Sequence, residues 1–303
     1  MNRPENGDLS PARKCLVTGA NGFVGSHLVD ALSARGVEVV AACRPSSAAK
    51  LHKKRPNLHV IARDLSSLSP ADFSGCDTFI HLAARMPDPE TTFSEYFDVN
   101  VRQTRHVFHC AAEAGVARCV QIGSCFEFGA SGDTCAQLSA QSPLEPLNEY
   151  AVTKAMASIV LRDWAEKQPC CFSLLRLSHI FGPGEGPHRF WPSLRRAAQA
   201  GVDLPMSGGA QVRDFTPVAY AVARILHECT RPDLVPGIPA VRQIGTGRPQ
   251  TLRRFAEYWW RHWRAPGRLL FGRLPYREGE AMRYVPEVEE LAPAKLCPWS
   301  APA

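Results

Sequence analysis

Short, wholly apolar runs alternate with longer amphipathic stretches through the first half of the chain. Cys15-Leu16-Val17 is the first such run. A loop with glycines at 19, 22 and 25 follows, and apolar residues at 24, 28, 29 and 32 then recur at helical spacing. The segments from Val37 to Ala42, Leu58 to Ala62, Thr78 to Ala84, Arg118 to Gly123 and Phe172 to Leu177 read as further buried strands. Between them the pattern predicts a long helix from about Thr92 to Ala114, stopped by Gly115 as C-cap, and another from Tyr150 to Glu166. Strands alternating with helices, at spacings too long for hairpins, predict an α/β fold with a doubly wound parallel sheet.

Beyond Phe181-Gly182-Pro183-Gly184-Glu185-Gly186-Pro187 the rhythm changes and prolines and glycines thicken. The pattern there predicts a helix from Phe190 to Ala200, a short strand near Val202 to Pro205 and an apolar helix from Ala219 to Glu228. A strand from Val241 to Ile244 and a Trp-rich helix follow. The N-terminus, Met1 to Arg13, is polar and reads as a disordered tail with no signal or anchor segment.

The glycine loop carries the first chemistry. A strand that turns sharply into a helix leaves unpaired backbone N–H groups at the turn, backed by the positive end of the helix dipole. Glycines let a pyrophosphate approach that backbone, because no Cβ intervenes. Residues 14–181 are therefore read as a Rossmann-type dinucleotide-binding domain, to which 212–240 return. Residues 182–303 are read mainly as a smaller C-terminal α/β substrate domain. The second strand ends at Cys43-Arg44, where such folds reach the adenosine ribose. An acid there suits the 2′-hydroxyl of NAD, and an arginine suits the 2′-phosphate of NADP. The acid is missing and Arg44 is present, which favours NADP and leaves NAD possible.

Composition narrows the classes. At 303 residues, 45% apolar and 21% charged, the chain is an ordinary globular protein with no apolar run near the ~18 residues of a membrane span. Its 11 cysteines are odd in number, scattered and never spaced C-x-x-C, which points to buried thiols in a reducing cytoplasm. His106 and His109 lack a third ligand in view and read as a helix face, so no metal is predicted. The net charge is +6, and nine arginines against three acids fall between Arg248 and Arg283, interleaved with Trp259, Trp260 and Trp263. That composition suits a nucleic-acid patch. The spacing of Leu252, Phe255, Ala256, Trp259 and Trp263 instead favours an amphipathic helix facing a core, with no nucleic-acid partner.

Tyr150-Ala151-Val152-Thr153-Lys154 puts a phenol and an ammonium four residues apart on one helical face. A nearby ammonium favours phenolate and is expected to lower the tyrosine pKa toward neutrality. Ser124, at the end of a strand, offers a hydroxyl where the sheet's crevice should open.

With these residues in place, the chain resembles the extended short-chain dehydrogenase/reductases of the nucleotide-sugar epimerase/dehydratase type, from about Lys14 to Phe255. The resemblance rests on T-G-A-N-G-F-V-G (18–25), Asp64-Leu65, H-L-A-A (81–84), V-N-V (99–101), G-S-C-F-E-F-G (123–129), Y-x-x-x-K (150–154), R-L-S-H-I-F-G-P-G (176–184), V-R-D-F (212–215) and I-G-T-G-R (244–248). It implies Ser124, Tyr150 and Lys154 as catalytic residues. Tyr150 would exchange the proton with the sugar oxygen while the nicotinamide exchanges hydride with the same carbon. Lys154 would hold the nicotinamide ribose, and Ser124 would bind the reacting oxygen. Cofactor contacts would come from Gly19, Asn21, Gly22, Phe23, Val24, Gly25, Arg44, Leu82, Ala83, Ala84 and Asn100, with Asp64 and Leu65 flanking the adenine. Arg85, Ser124, His179 and Arg213 would meet the substrate, Arg213 at the pyrophosphate unless it pairs with Asp214. The resemblance also implies a homodimer.

The chain departs from the family pattern in three places. Where 4,6-dehydratases carry acids after the catalytic Ser/Thr stand Cys125 and Phe126, with Glu127 one place late, which argues against a dehydratase. His179 replaces a common Asn before I-F-G-P-G. The acidic pair usual after R-D-F is replaced by Ala219 and Tyr220. The expected function is reduction of a 4-keto nucleotide sugar by NADPH, with a C4 epimerase that retains NAD as the alternative. A non-catalytic dinucleotide sensor is the third reading, and it has no need of a poised phenol.

Overall fold

The computed structural model describes residues 13–51 and 57–289. The polar stretch read as a disordered tail lies outside the described residues, apart from Arg13. The strands are β1 (Lys14–Thr18), β2 (Glu38–Cys43), β3 (Leu58–Ala62), β4 (Thr78–His81), β5 (Arg118–Ser124), β6 (Cys171–Leu177) and β7 (Ala240–Ile244). They form one seven-stranded sheet in the order β7-β6-β5-β4-β1-β2-β3. The pairs β1–β2, β1–β4, β2–β3 and β4–β5 are all parallel. The order reverses beside β1, which is the topological switch point of a doubly wound sheet. The sequence pattern placed 241–244 with the smaller domain; the strand instead pairs beside β6 as the sheet edge, where the Ser178 N–H donates to the Ile244 carbonyl.

The principal helices are α1 (Phe23–Ser33), α2 (Thr104–Glu113), α3 (Glu149–Ala165), α4 (Phe190–Ala200), α5 (Val218–Glu228) and α6 (Leu252–His262). The stretch expected as one α-helix over 92–114 is not uniform. A short α-turn, Phe93–Phe97, passes into a π-helical segment, Asp98–Gln103, before α2.

The described residues fall into two compact units. One comprises those within Met1–Ile122, Met156–Leu175 and Val222–Val241; the other, those within Gly123–Ala155, Arg176–Ala221 and Arg242–Ala303. The first is held by an apolar core including Leu16, Val40, Phe79, Phe108, Trp164 and Phe172. Phe108 is its hub, with the rings of Phe79, Trp164 and Phe172 at 4.9, 5.4 and 5.7 Å. Burying each such ring removes a large apolar area from water, on the order of 150–250 Å². All described cysteines are free, and all but Cys135 are buried.

In the second unit, α6 turns Phe255, Ala256 and Trp260 into the interior, with Trp259 and Trp263 partly buried beside them. Phe215 stacks on Phe255 at 4.0 Å, and the Trp260 indole N–H donates to the Gly267 carbonyl at 2.8 Å. The tryptophans pack against the interior, Trp259 and Trp263 on the face their spacing marks and Trp260, which that spacing does not include, the most deeply. Short strands tie the unit together: His179–Phe181 beside Phe215–Pro217, and Val212–Arg213 between Gln250–Thr251 and Arg283–Tyr284. No described helix is long and apolar enough to cross a membrane.

Candidate active site

In the first unit the β1–α1 turn is packed as tightly as its glycines allow. The Gly22 N–H donates to the Gly19 carbonyl at 2.9 Å. Gly19 has φ +66°, and a Cβ there would lie 2.7 Å from the Ala83 nitrogen; a Cβ on Gly25 would lie 2.1 Å from the Gly19 oxygen. Both positions exclude any side chain, because backbone fills the space. Gly22 is the N-cap of α1 and supplies no capping side chain, so none competes for the N–H groups of Phe23, Val24 and Gly25. This turn fits a dinucleotide diphosphate, an anion held by helix-start N–H groups.

The neighbouring strand ends complete that edge. Leu82 and Ala83 are the backbone against which Gly19 rests, and the Leu82 N–H donates to the Thr18 carbonyl. Asn100, buried within the π-helical segment, accepts from the Arg85 N–H and donates to the Arg85 carbonyl. It fixes the segment carrying Ala84 and Arg85, while the Arg85 side chain donates to Thr91 at 3.1 Å. Arg44 and Asp64 are both exposed at the carboxyl ends of the paired strands β2 and β3, and Leu65 opens a short 3₁₀ turn there. Asn21 reaches the Ser47 carbonyl across the same edge at 3.5 Å.

The second unit holds the three residues expected to carry the acid–base chemistry. Ser124 ends β5 and caps a short 3₁₀ turn, Cys125–Phe128, its Oγ accepting from the Phe126 N–H at 3.2 Å. Tyr150 and Lys154 lie on the first turns of α3, and Ser124, Tyr150 and Lys154 are 8%, 8% and 5% exposed. The Ser124 hydroxyl hydrogen-bonds the Tyr150 phenol.

The electrostatics differ from the sequence expectation. Burial, and then the Glu127 charge, push the Tyr150 pKa well above its usual value, against the lowering effects of the Ser124 hydrogen bond and Arg189. Burial lowers Lys154, opposed by Glu127. The expected depression of Tyr150 by Lys154 does not prevail: desolvation penalises the phenolate most, and the Glu127 carboxylate adds to it.

Glu127 is the residue the sequence reading undervalued. It is fully buried, one oxygen accepting from the Ser124 N–H at 2.7 Å and the other from Arg176 Nε at 2.7 Å. Its signal was present as Ser124-x-x-Glu127, the spacing of a capping box.

His179 lies against Cys125 (Nδ1 to Sγ 3.8 Å), Phe126 and Tyr284. Burial, Arg213 and Arg189 lower its pKa, so the imidazole is neutral, and burial pushes the Cys125 thiol up to about 12. Arg213 does not pair with Asp214. It donates to Glu280 and to the Ala281 carbonyl and lies over the Tyr284 ring. Asp214 instead accepts from Thr216, from the Thr246 N–H and hydroxyl, and from the Gly247 N–H.

The profile of the NAD dependent epimerase/dehydratase family matches residues 15–237. The chain belongs to that family. It is similar to the dTDP-4-dehydro-6-deoxy-D-allose reductase of a Streptomyces species, 31% identical over 71% of this chain and 72% of that one. It is 30% identical to the enzyme of the same description from Streptomyces bikiniensis, over 75% of this chain and 76% of that one. Among solved structures, MoeE5 in complex with UDP-glucuronic acid and NAD is 30% identical with a TM-score of 0.78, covering 91% of this chain and 90% of that chain. As a member of this family the protein is an NAD(P)-dependent enzyme of the short-chain dehydrogenase/reductase type.

Proposed function

We propose that the protein reduces a 4-keto (deoxy)sugar nucleotide, with NADPH as the hydride source and Tyr150 as the proton donor. The observation that carries this reading is the state of the turn after Ser124. Cys125 and Phe126 carry no acid, and both oxygens of Glu127 are engaged by Arg176 and the Ser124 N–H. A dehydratase needs a free acid or base to remove water, whereas carbonyl reduction needs only a hydroxyl and a proton donor. Tyr150 suits the second task, because its raised pKa keeps the phenol protonated at neutral pH.

A dinucleotide held at the β1–α1 turn would supply the hydride for the sugar carbonyl carbon. Ser124 donates a hydrogen bond to the carbonyl oxygen, polarising it and holding it beside the phenol. As charge develops on that oxygen, Tyr150 transfers its proton to it, and Lys154 stabilises the phenolate left behind. The exposed Arg44 and the lack of an acid at the end of β2 support NADPH over NADH. The two reductases at 30 and 31% identity support the substrate class.

C4 epimerisation with retained NAD is the second reading. The NAD in the MoeE5 complex favours it, and the same Ser124 and Tyr150 would serve. The two are separated by incubating the protein with NADPH and a dTDP-4-keto-6-deoxyhexose, and in parallel with UDP-glucose and no added cofactor. Stoichiometric NADPH oxidation with formation of a 4-hydroxy sugar nucleotide is expected. Formation of UDP-galactose with no NADPH consumption in the first arm would replace the reductase reading with the epimerase one.

A further inference from the structure

The buried Glu127–Arg176 pair lies under the proposed proton-transfer residues and is assigned no role by the Ser/Tyr/Lys scheme. Both side chains are essentially inaccessible, at 0% and 1% exposure, and Arg176 also lies 4.9 Å over the Phe128 ring. Burying two charges costs several kcal/mol of desolvation per ion, and a hydrophobic pair often stabilises as well. A charged pair buried at that cost points to a purpose beyond stability. Its geometry supplies one. The Glu127 oxygen that does not meet Arg176 accepts the Ser124 N–H, which fixes the backbone of the residue whose hydroxyl bonds Tyr150.

We propose that Glu127, anchored by Arg176, is a positioning residue: it fixes Ser124 against Tyr150 and presents a negative charge to the Tyr150–Lys154 pair. The catalytic aspect rests on the reductase reading above; the placement of Ser124 does not. The groups acting on Tyr150 are Ser124, Cys125 and Glu127 from the turn after β5 and Arg189 before α4. Of these, Glu127 alone combines a negative charge with a direct hold on Ser124. Its charge opposes loss of the proton from both Tyr150 and Lys154. The donor thus stays loaded to higher pH than burial alone would allow.

The test uses two double variants, so that no buried charge is left unpaired. Glu127→Gln/Arg176→Met keeps an acceptor for the Ser124 N–H and removes the charge, whereas Glu127→Leu/Arg176→Met removes both. The first readout needs no activity: the ¹³Cζ resonance of Tyr150 at neutral pH, assigned by its absence in Tyr150→Phe. Ser124→Ala should displace it; the Leu/Met variant should displace it in the same sense, and the Gln/Met variant less. A Tyr150 resonance unmoved in a folded Leu/Met variant overturns the placement of Ser124, whatever the substrate proves to be.

The second readout is kinetic. In whichever direction the enzyme works, the Leu/Met variant should lose about 10²-fold in kcat with KM changed less than about threefold, the pattern of a lost transition-state interaction. In the Gln/Met variant the alkaline limb of the reductive pH profile should move to lower pH: of the two charges removed, it is the Glu127 carboxylate that acts on Tyr150 and Lys154, and both deprotonate sooner without it. An unmoved limb overturns the charge role. If the resonance moves and no 4-keto sugar is reduced, the reductase reading fails while the positioning of Ser124 stands.

Discussion

Asn100 holds the backbone of Arg85 at both polar groups: its Oδ1 accepts from the Arg85 N–H at 2.7 Å and its Nδ2 donates to the Arg85 carbonyl at 3.3 Å. Asn100 is 2% exposed and belongs to the π-helical segment, a feature often found at functional sites. Through this pair a helix residue sets the path of the chain leaving β4, next to the Leu82–Ala83 backbone on which Gly19 rests. Asn100→Leu, similar in volume, strands both Arg85 groups. It should cost about 1–3 kcal/mol in urea unfolding without a change in m-value, since an unmade buried hydrogen bond costs about that much. NADPH affinity should fall with it. A variant as stable as wild type would mean that water replaces the amide.

The two glycines of the turn should be distinguishable from glycines that merely adopt a left-handed conformation. Gly36 has φ +79° with nothing within 4 Å of where a methyl would stand, whereas the methyl of Gly25→Ala would meet the Gly19 oxygen at 2.1 Å. Gly36→Ala should cost only backbone strain, about 1–2 kcal/mol. Gly25→Ala gains up to about 1 kcal/mol of helix propensity, yet must move the loop to fit. Dinucleotide binding, followed by calorimetry, should therefore vanish in Gly25→Ala and survive in Gly36→Ala.

Arg44 at the end of β2 gives a cofactor prediction. If its guanidinium meets a 2′-phosphate, NADPH should bind more tightly than NADH, and Arg44→Ala should remove the difference. A hydrogen bond to a charged group contributes about 1.5–3 kcal/mol, so the affinity ratio should change by about tenfold or more. Equal affinities in the wild-type protein would rule out this role.

How far the sequence discloses these features depends on how local they are. The β1–α1 turn is legible because its glycines, strand and helix are contiguous and each answers a local steric demand. The Trp-rich helix is legible because the 3.6-residue period already marks its buried face. The edge position of β7 is not, since an apolar run says that a strand is buried without saying beside which strand. The π-helical segment hides because its six residues are too few to reveal a change of period. Glu127 showed half of its role: Ser124-x-x-Glu127 is local, but Arg176 is 49 residues away, and only the fold brings the pair together. The direction of the Tyr150 shift is hidden for the same reason, because desolvation is a property of the packed site and not of the helix carrying Tyr150 and Lys154.

Glu185 offers a test by pH. Its side chain is 7% exposed, its Oε2 is buried without a hydrogen-bond partner, and burial raises its pKa to about 7 against the lowering effect of Arg189. A carboxyl whose folded pKa is raised contributes stability below its unfolded pKa and loses it as pH rises through the folded value. Between about pH 5 and pH 8 the wild-type protein should lose stability that Glu185→Gln retains, on the order of 1–2 kcal/mol once solvent screening is allowed for. Parallel stability curves for the two proteins across that range would show that Glu185 does not titrate there.

The last prediction concerns the proton itself. Hydride delivery to a sugar ketone leaves an alkoxide, and a donor about 3 Å away must protonate it as charge develops. Tyr150 is suited because burial and the Glu127 charge keep its proton on until charge develops on the substrate oxygen. Tyr150→Phe keeps the buried ring and removes only the hydroxyl, so NADPH affinity and thermal stability should stay close to wild type. Turnover should fall by about 10²–10⁴, the usual contribution of a positioned acid or base. Ser124→Ala should cost less, since it removes a hydrogen bond and leaves the proton source. The pH dependence separates the two directions of use. A donor with a raised pKa gives a reductive rate that is flat through neutrality and falls only on the alkaline side, whereas oxidation of an alcohol by the same residue needs phenolate and should rise with pH. The measurement is NADPH consumption against pH for wild type and Tyr150→Phe with a 4-keto-6-deoxy nucleotide sugar. If Tyr150→Phe retains most of its turnover, the proton comes from another group, and the family membership stands without this mechanism.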